Sequence, residues 1–254
     1  MLLVRFRASG SLAWGRLLDD TVDEIVDPWT RGGLHAAPVR SHARLDVELV
    51  CPATPTKIVC VGRNYRAHAQ EMGNELPDEP MLFFKPPSAL IGSGQAIRLP
   101  RGVAPVDFEG ELVLVIGRRC RDLDATSAPR ALLGVTCGND VSARALQRKD
   151  GQWGRAKGFD TFAPVGPAIV IDAGIGPFDL TTRVNGEVRQ RANTLDMIFD
   201  PLALLVFVSR VMTLEPGDLI FTGTPSGVGP LLAGDHVEVE LSGVGVLANP
   251  VETE

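Results

Sequence analysis

The chain has 254 residues, 44% of them apolar and 22% charged, the balance of a globular protein long enough for one large domain, or one domain with a small appendage. A net charge of −6 argues against sequence-independent nucleic-acid binding, which needs a basic surface to displace counterions. Cys51, Cys60, Cys120 and Cys137 are scattered without a C-x-x-C pair, which argues against a disulfide scaffold and a thiolate zinc site. The opening MLLVRFRASG has an arginine inside its apolar stretch and does not read as a signal peptide. The longest apolar run, Leu202 to Val208, is far too short to span a bilayer. A cytoplasmic protein with neither nucleic acid nor membrane as partner is the expectation.

Residues 1–50 read as a small unit in which MLLVRFR, LAWGRLL and VDEIVD are short strands separated by Gly, Ser and Asp. Residues 28–44 show no periodicity and are expected as a loop with a short helix. The two prolines of CPATPTK mark a linker into a main domain, residues 51–254. That domain opens on a strand at Ile58 to Val61, a helix over 64–72 and a strand MLFFK at 81–85. Further strands are expected at AIRLP, ELVLVIG, VTCGND, AIVI, TTRV, EVRQR, DLIFTG, HVEVEL and VGVLA. Asn185-Gly186, between TTRV and EVRQR, signals a hairpin, because both turn residues tolerate positive φ. One helix is expected from Thr126 to Leu133. Another follows Asp200-Pro201, an N-cap residue with proline at the first helical position. Strands outnumber helices and do not alternate with them, so a doubly wound nucleotide-binding fold is disfavoured.

Five segments carry chemistry. In Asp107-Phe108-Glu109-Gly110-Glu111, a strand would put Glu109 and Glu111 on one face, roughly 6–7 Å apart. Two like charges beside an apolar run call for a cation or a shared proton, and carboxylate oxygens suit a hard divalent ion. The bland alternative is a solvated pair at a strand entrance. In Gly138-Asn139-Asp140, an acid ends an apolar strand, as a ligand or as an ordinary turn former. Trp153 to Phe162 is an aromatic and basic run, with a surface loop as its plain reading. On a helix, His68 and Glu71 are i, i+3 neighbours. They form either a general base with its orienting acid or an exposed pair. Thr222 to Gly229 is glycine-rich but lacks the lysine of a phosphate loop.

Read in order, CVGRNYRAHAQEMG, LFFKP, DFEGELVLVIGR, GNDVSARALQ, RAKGFDTFAPVGP, VNGEVRQ and FTGTPSGVG resemble the fumarylacetoacetate hydrolase superfamily over Lys57 to Gly229. The resemblance implies a β-rich α+β fold, a mixed β-roll or β-sandwich core with peripheral helices, behind a small N-terminal β-containing domain. It implies Mg²⁺ or Mn²⁺ held by Glu109, Glu111 and Asp140, with Lys157 close by. It makes His68 and Glu71 the pair that activates water, and Lys85, Arg144, Gln147, Thr224 and, more weakly, Arg63 the groups that hold substrate oxygens. A homodimer is implied as well. One spelling departs from the family: Ala145 stands where S-A-R-D is frequent, which puts the orientation of Arg144 in question.

A hard cation chelated by a 2-oxo acid stabilises its enolate, with Lys157 adding positive charge and His68 moving a proton. C–C bond hydrolysis of a fumarylacetoacetate or acylpyruvate type, or isomerisation of 2-hydroxyhepta-2,4-diene-1,7-dioate in aromatic catabolism, is the expected outcome. Decarboxylation or tautomerisation of oxaloacetate is the alternative, and a non-catalytic binding protein is the rival from another class.

Overall fold

The computed structural model describes every residue except 31, 72 and 74. Its largest sheet has twelve strands. Ten of them follow in the order Arg40–Ala43, Thr21–Ile25, Ser11–Leu17, Leu2–Ala8, Ala163–Ile171, Leu132–Asn139, Gly110–Ile116, Leu219–Phe221, Ile58–Gly62 and Met81–Lys85, while Glu48–Val50 pairs with Leu2–Ala8 and Leu90–Ile91 with Ala163–Ile171 off that path. The strands of the first fifty residues therefore continue the main sheet, through Leu2 and Leu3 paired with Val170 and Ile169. A five-stranded sheet (Glu187–Asn193, Asp179–Val184, His236–Leu241, Gly245–Thr253, Ile97–Leu99) packs against it. A three-stranded sheet joins Ser142–Ala143, Val106–Phe108 and Gly229–Pro230. The protein is strand-rich, with few helices. None of them is long and apolar enough to cross a membrane.

Gly110–Ile116 shows how the core forms. Its side chains alternate between faces, and both faces are covered, so the run is apolar throughout instead of alternating. Leu112, Leu114 and Ile116 join Val135, Leu180, Val239 and Leu241 in the layer between the two large sheets. Val113 and Val115 face the other way, into a cluster with Ile58, Cys60, Leu219 and Phe221. Glu111 and Glu109 belong to this second face by parity, at the end where the apolar side chains stop.

The hairpin Asp179–Val184 to Glu187–Asn193 turns at Asn185 and Gly186, with φ of 54° and 80°. The helix Pro201–Val211 begins at Asp200, whose side chain accepts from the Ala203 N–H at 2.8 Å, a cap worth about 1 kcal/mol. It buries Leu204, Leu205 and Val208 in the same apolar cluster that holds Leu112 and Leu114, so its apolar face belongs to the core. The helix expected over 64–72 is Arg66–Glu71; its last expected residue lies outside the described residues.

The helix expected from Thr126 to Leu133 is not formed. Ala128–Ala131 makes a single 3₁₀ turn and Leu132 already starts a strand. The Asp124 side chain captures the N–H groups of Thr126 and Ser127, fixing a local turn, and Leu132 is claimed by Ile116 across the ladder. Two helices without a periodic signature, Arg144–Asp150 and Gly154–Lys157, occupy the stretch after Asp140. They are too short, at seven and four residues, for periodicity to reveal.

Candidate metal centre and active site

The antiparallel pairing of Gly110–Ile116 with Leu132–Asn139 brings the acids together. Gly110 lies opposite Asn139 and Glu111 opposite Gly138, so Glu109 and Asp140 meet one step beyond the ladder's end. The Asp140 N–H donates to the Glu109 carbonyl (2.8 Å), and the Glu109 N–H donates to Asn139 Oδ1 (2.9 Å). Glu109 therefore sits at the break between Val106–Phe108 and Gly110–Ile116, slightly outside a continuous strand. One carboxylate oxygen from each of Glu109, Glu111 and Asp140 lies within 4.8 Å of the others, and all three residues are buried.

Three buried cations surround the acids. Lys157 Nζ donates to Glu109 Oε2 (2.9 Å) and Asp140 Oδ2 (2.6 Å). It also lies 4.9 Å from the centre of the Phe83 ring. Arg144 donates to Asp107 Oδ2 (2.7 Å) and pairs with Glu109. Lys85 pairs with Asp140 Oδ1 at 2.7 Å. Burial pushes the Glu109 carboxyl up, but Arg144 and Lys157 outweigh it and hold the group well below the usual carboxylate range. Glu111 goes the other way. Burial raises it well above that range, and the neighbouring charges of Asp140 and Glu109 raise it further. It accepts a hydrogen bond from the Gly223 N–H, at 2.7 Å.

Glu111 is thus a buried acid with acidic neighbours and, among the described residues, no cation in ion-pair contact. A hard dication coordinated by Glu109, Glu111 and Asp140 would supply the missing charge, and an all-oxygen donor set suits Mg²⁺ or Mn²⁺. The residues fit the ion on this ground.

A cavity of about 280 Å³ opens over the three acids, near the small end of the roughly 300–1,000 Å³ of ligand sites. Its wall includes Arg63, His68, Phe83, Arg144, Gln147, Arg148, Trp153, Lys157 and Thr224. Of the residues expected to hold substrate, Arg63, Arg144, Gln147 and Thr224 face it. Lys85 does not. Its Nζ is consumed by Asp140 and by the carbonyls of Val141 (3.0 Å), Lys157 (2.7 Å) and Phe162 (2.8 Å), so it braces the acid from behind. Thr224 faces the cavity, but its hydroxyl donates to the Gly110 carbonyl (2.9 Å) and accepts from Gln190 Nε2 (2.8 Å).

His68 Nδ1 lies 3.1 Å from Glu71 Oε2, and Glu71 also accepts from the Gly227 N–H (3.1 Å). The glycine-rich loop therefore orients the acid that orients the imidazole, and leaves Nε2 for the cavity. Gly223 (φ 100°) is required here, because a Cβ would lie 2.7 Å from that of Asn64. Asn64 in turn ties the loop to Phe199 and Thr222.

Several residues were not singled out from the sequence. Asp107 fixes Arg144, whose Nη1 also donates to Gln147 Oε1 (2.9 Å). Ala145, the departure from the family spelling, is exposed on its helix, and the orientation of Arg144 comes from Asp107. Asn139 sets the backbone of Glu109. Phe83 and Trp153, with ring centres 5.0 Å apart, form an aromatic wall. A Cβ on Gly62 would come within 2.8 Å of the Trp153 ring, so this glycine makes room for it. Asp107 stood next to the E-x-E motif and could have been suspected; of the aromatic wall, Trp153 opened the aromatic and basic run, whereas Phe83 carried no signal beyond its strand.

The family model described as "Fumarylacetoacetate (FAA) hydrolase C-terminal" matches residues 57–252. The chain is 44% identical to a mitochondrial oxaloacetate tautomerase, FAHD2A, of Bos taurus, over 82% of this chain and 70% of that protein. It is 44% identical to 5-carboxymethyl-2-hydroxymuconate delta-isomerase of Mycobacterium smegmatis, with a TM-score of 0.94 over the whole of both chains. It is also 44% identical to 2-hydroxyhepta-2,4-diene-1,7-dioate isomerase of Mycobacterium marinum, with a TM-score of 0.92 over 100% of this chain and 99% of that one. A match of this extent, running from the linker through the last strand and taking in every acid and cation of the site, places the chain in the fumarylacetoacetate hydrolase family.

Proposed function

We propose that the chain is a Mg²⁺- or Mn²⁺-dependent enzyme that moves a proton on a 2-oxo acid through its enolate, as an isomerase or tautomerase. The observation that carries the reading is the junction of Glu109, Glu111 and Asp140 with Lys157 on the floor of a cavity that His68 also lines. When bound, the cation would supply Lewis-acid stabilisation of the negative charge that develops on the 2-oxygen. The chain's own residues do the rest. Lys157 and Arg144 hold positive charge over the same oxygens. His68 Nε2 takes the proton of the 2-hydroxyl and returns it at C3 of an enol, which leaves the 2-oxo acid, or at C5 of a 2,4-dienol, which leaves the 2-oxo-3-ene, with Glu71 fixing the Nδ1 tautomer. The Phe83–Trp153 wall covers an apolar or conjugated middle section and limits water. The isomerase and tautomerase activities of the relatives are proton transfers of this kind and support the reading.

C–C bond hydrolysis is the second reading, favoured by the same His68–Glu71 pair, which suits water activation. A homodimer in the cytoplasm belongs to the proposal. The test is enol-to-keto conversion of oxaloacetate, and isomerisation of 2-hydroxyhepta-2,4-diene-1,7-dioate, followed optically with Mg²⁺ or Mn²⁺ while products are separated by chromatography. Metal-dependent acceleration that is lost in Glu111→Gln is expected. Cleavage products without the isomer would move the assignment to hydrolysis, and no acceleration with either metal would end it.

A further inference from the structure

The strand Gly110–Ile116 outruns its neighbour at the point where the site begins. The N–H and carbonyl of every second residue face Leu219–Phe221, as the bonds of Ile116 to Asp218 and of Leu112 to Thr222 show. Gly110 has the same parity, but the neighbouring strand ends at Phe221. Buried backbone groups need partners, and here side chains supply them. The Gly110 N–H donates to Gln190 Oε1 (3.0 Å), the Gly110 carbonyl accepts from the Thr224 hydroxyl (2.9 Å), and Gln190 Nε2 donates to that hydroxyl (2.8 Å). The three bonds close a ring. Nε2 also donates to the Pro225 carbonyl (2.8 Å), so both amide hydrogens are used. Gln190 is buried, and its near-isosteres cannot replace it: an ionised Glu lacks the two donors, and Met lacks donors and acceptor alike.

The ring lies between the two halves of the site. On one side it fixes both peptide groups that join Glu109 to Glu111. On the other it fixes Thr224 and Pro225 of the glycine-rich loop. The N–H groups flanking those two residues serve acids of the site: Gly223 donates to Glu111 Oε2 (2.7 Å) and Gly227 to Glu71 Oε1 (3.1 Å). Gly227 rests on the same strand as Gln190, since a Cβ there would lie 2.1 Å from the Arg189 carbonyl oxygen. Glu71 is exposed, so the Gly227 N–H and His68 share the task of keeping its carboxylate from turning to solvent.

We propose that Gln190 is a positioning residue for both halves of the site: it locks the E-x-E backbone to the loop that holds Glu71, so that cation affinity and the orientation of His68 depend on one amide. It touches neither ion nor substrate. The assignment rests on the reading of Glu109, Glu111 and Asp140 as a cation site. Gln190→Met keeps the volume and removes all three bonds. Two readings that need no turnover test it: titration calorimetry with Mg²⁺, and NMR spectra of the histidine ring nitrogens, with His68 identified by its absence from His68→Ala. Magnesium should bind about ten- to a hundredfold more weakly in Gln190→Met, the usual consequence of losing a group that orients a metal ligand. The neutral His68 ring should move from the Nδ1-protonated tautomer, fixed by Glu71 in the wild type, toward the Nε2-protonated one. Circular dichroism checks the fold. If Gln190→Met does not fold, Thr224→Val, which breaks the same ring at nearly constant volume, carries both readings. A folded variant with wild-type magnesium affinity would overturn the proposal. So would weakened affinity with an unmoved His68 tautomer, because an amide that served the acids alone would leave the imidazole as it was. A wild-type protein that binds neither Mg²⁺ nor Mn²⁺ would fail earlier, at the cation reading itself, and take the assignment with it.

Discussion

The floor and the rim of the cavity are built on opposite principles. On the floor, every charged group is buried and all but Glu111 are answered by an opposite charge, and the positions are set by strand register, by Asn139 and by the carbonyls around Lys85. On the rim, His68 and Glu71 sit on a six-residue helix, Arg148 is exposed, and the tie to the body is the contact between Glu71 and Gly227. Charge on the floor is interlocked, so a change there disturbs its neighbours. On the rim His68 is buried while Glu71 and Arg148 reach solvent and stand outside the interlocked charges, so a change there acts on a ligand more than on the protein.

The largest expected effect is on the floor. Asp140→Ala removes the partner of two buried lysines, and stability should fall by about 3–5 kcal/mol, the usual cost of orphaning one side of a buried ion pair. A urea denaturation midpoint close to that of the wild type would show the floor to be less interlocked than it looks.

On the rim the balance should reverse. His68→Ala should slow the proton transfer by about 10²–10⁴-fold. Stability should fall by about 1–2 kcal/mol, because His68 is buried and its truncation removes packing as well as the bond to Glu71. Magnesium affinity should stay near wild type, since His68 is not among the ligands. Unchanged rates with metal bound would leave Lys157 as the group that handles the proton.

The smallest effect sharpens the contrast within the floor. Glu111 is raised by burial and by Asp140 and Glu109, so it carries a proton through part of the range above the usual carboxylate pKa. A cation must displace that proton, so magnesium should bind more tightly as pH rises through this window, by up to about tenfold per unit, and level off once Glu111 is ionised. Calorimetry in two buffers of different ionisation enthalpy would detect the released proton. No release would mean that Glu111 is already ionised before the ion arrives.

The legibility of the sequence follows the same division. The acids of the floor lie close in sequence to apolar strands, and E-x-E beside a buried run is physically awkward without a cation, so Glu109 and Glu111 stood out as candidates, while Asp140 read equally as a turn former until the family resemblance joined the three. Lys85 was misread because nothing local distinguishes a lysine that faces a substrate from one that faces three carbonyls. That distinction depends on where residues 141, 157 and 162 come to rest. Thr126 to Leu133 was misread as a helix because Asp124 and the partner strand decide its conformation, and one is a local capture while the other lies in a different segment. Arg144–Asp150 and Gly154–Lys157 were missed as helices although their residues were prominent, since a helix of one or two turns has no period to detect.

Gly110, between the two glutamates, has a meaning for the choice of ion. The side of this residue where a Cβ would project presses on Thr182 of the opposing sheet, its N–H donates to Gln190 Oε1 (3.0 Å), and its carbonyl accepts from Thr224 (2.9 Å). The backbone that joins Glu109 to Glu111 is therefore clamped from the far side by the sandwich itself. A wider cage, such as Ca²⁺ with its longer bonds and higher coordination number would need, requires the two carboxylates to spread. Spreading them would mean lifting one sheet from the other. On the proposed reading, selectivity for a small ion would be a property of the hydrophobic core, which exchanging ligand residues alone would not retune.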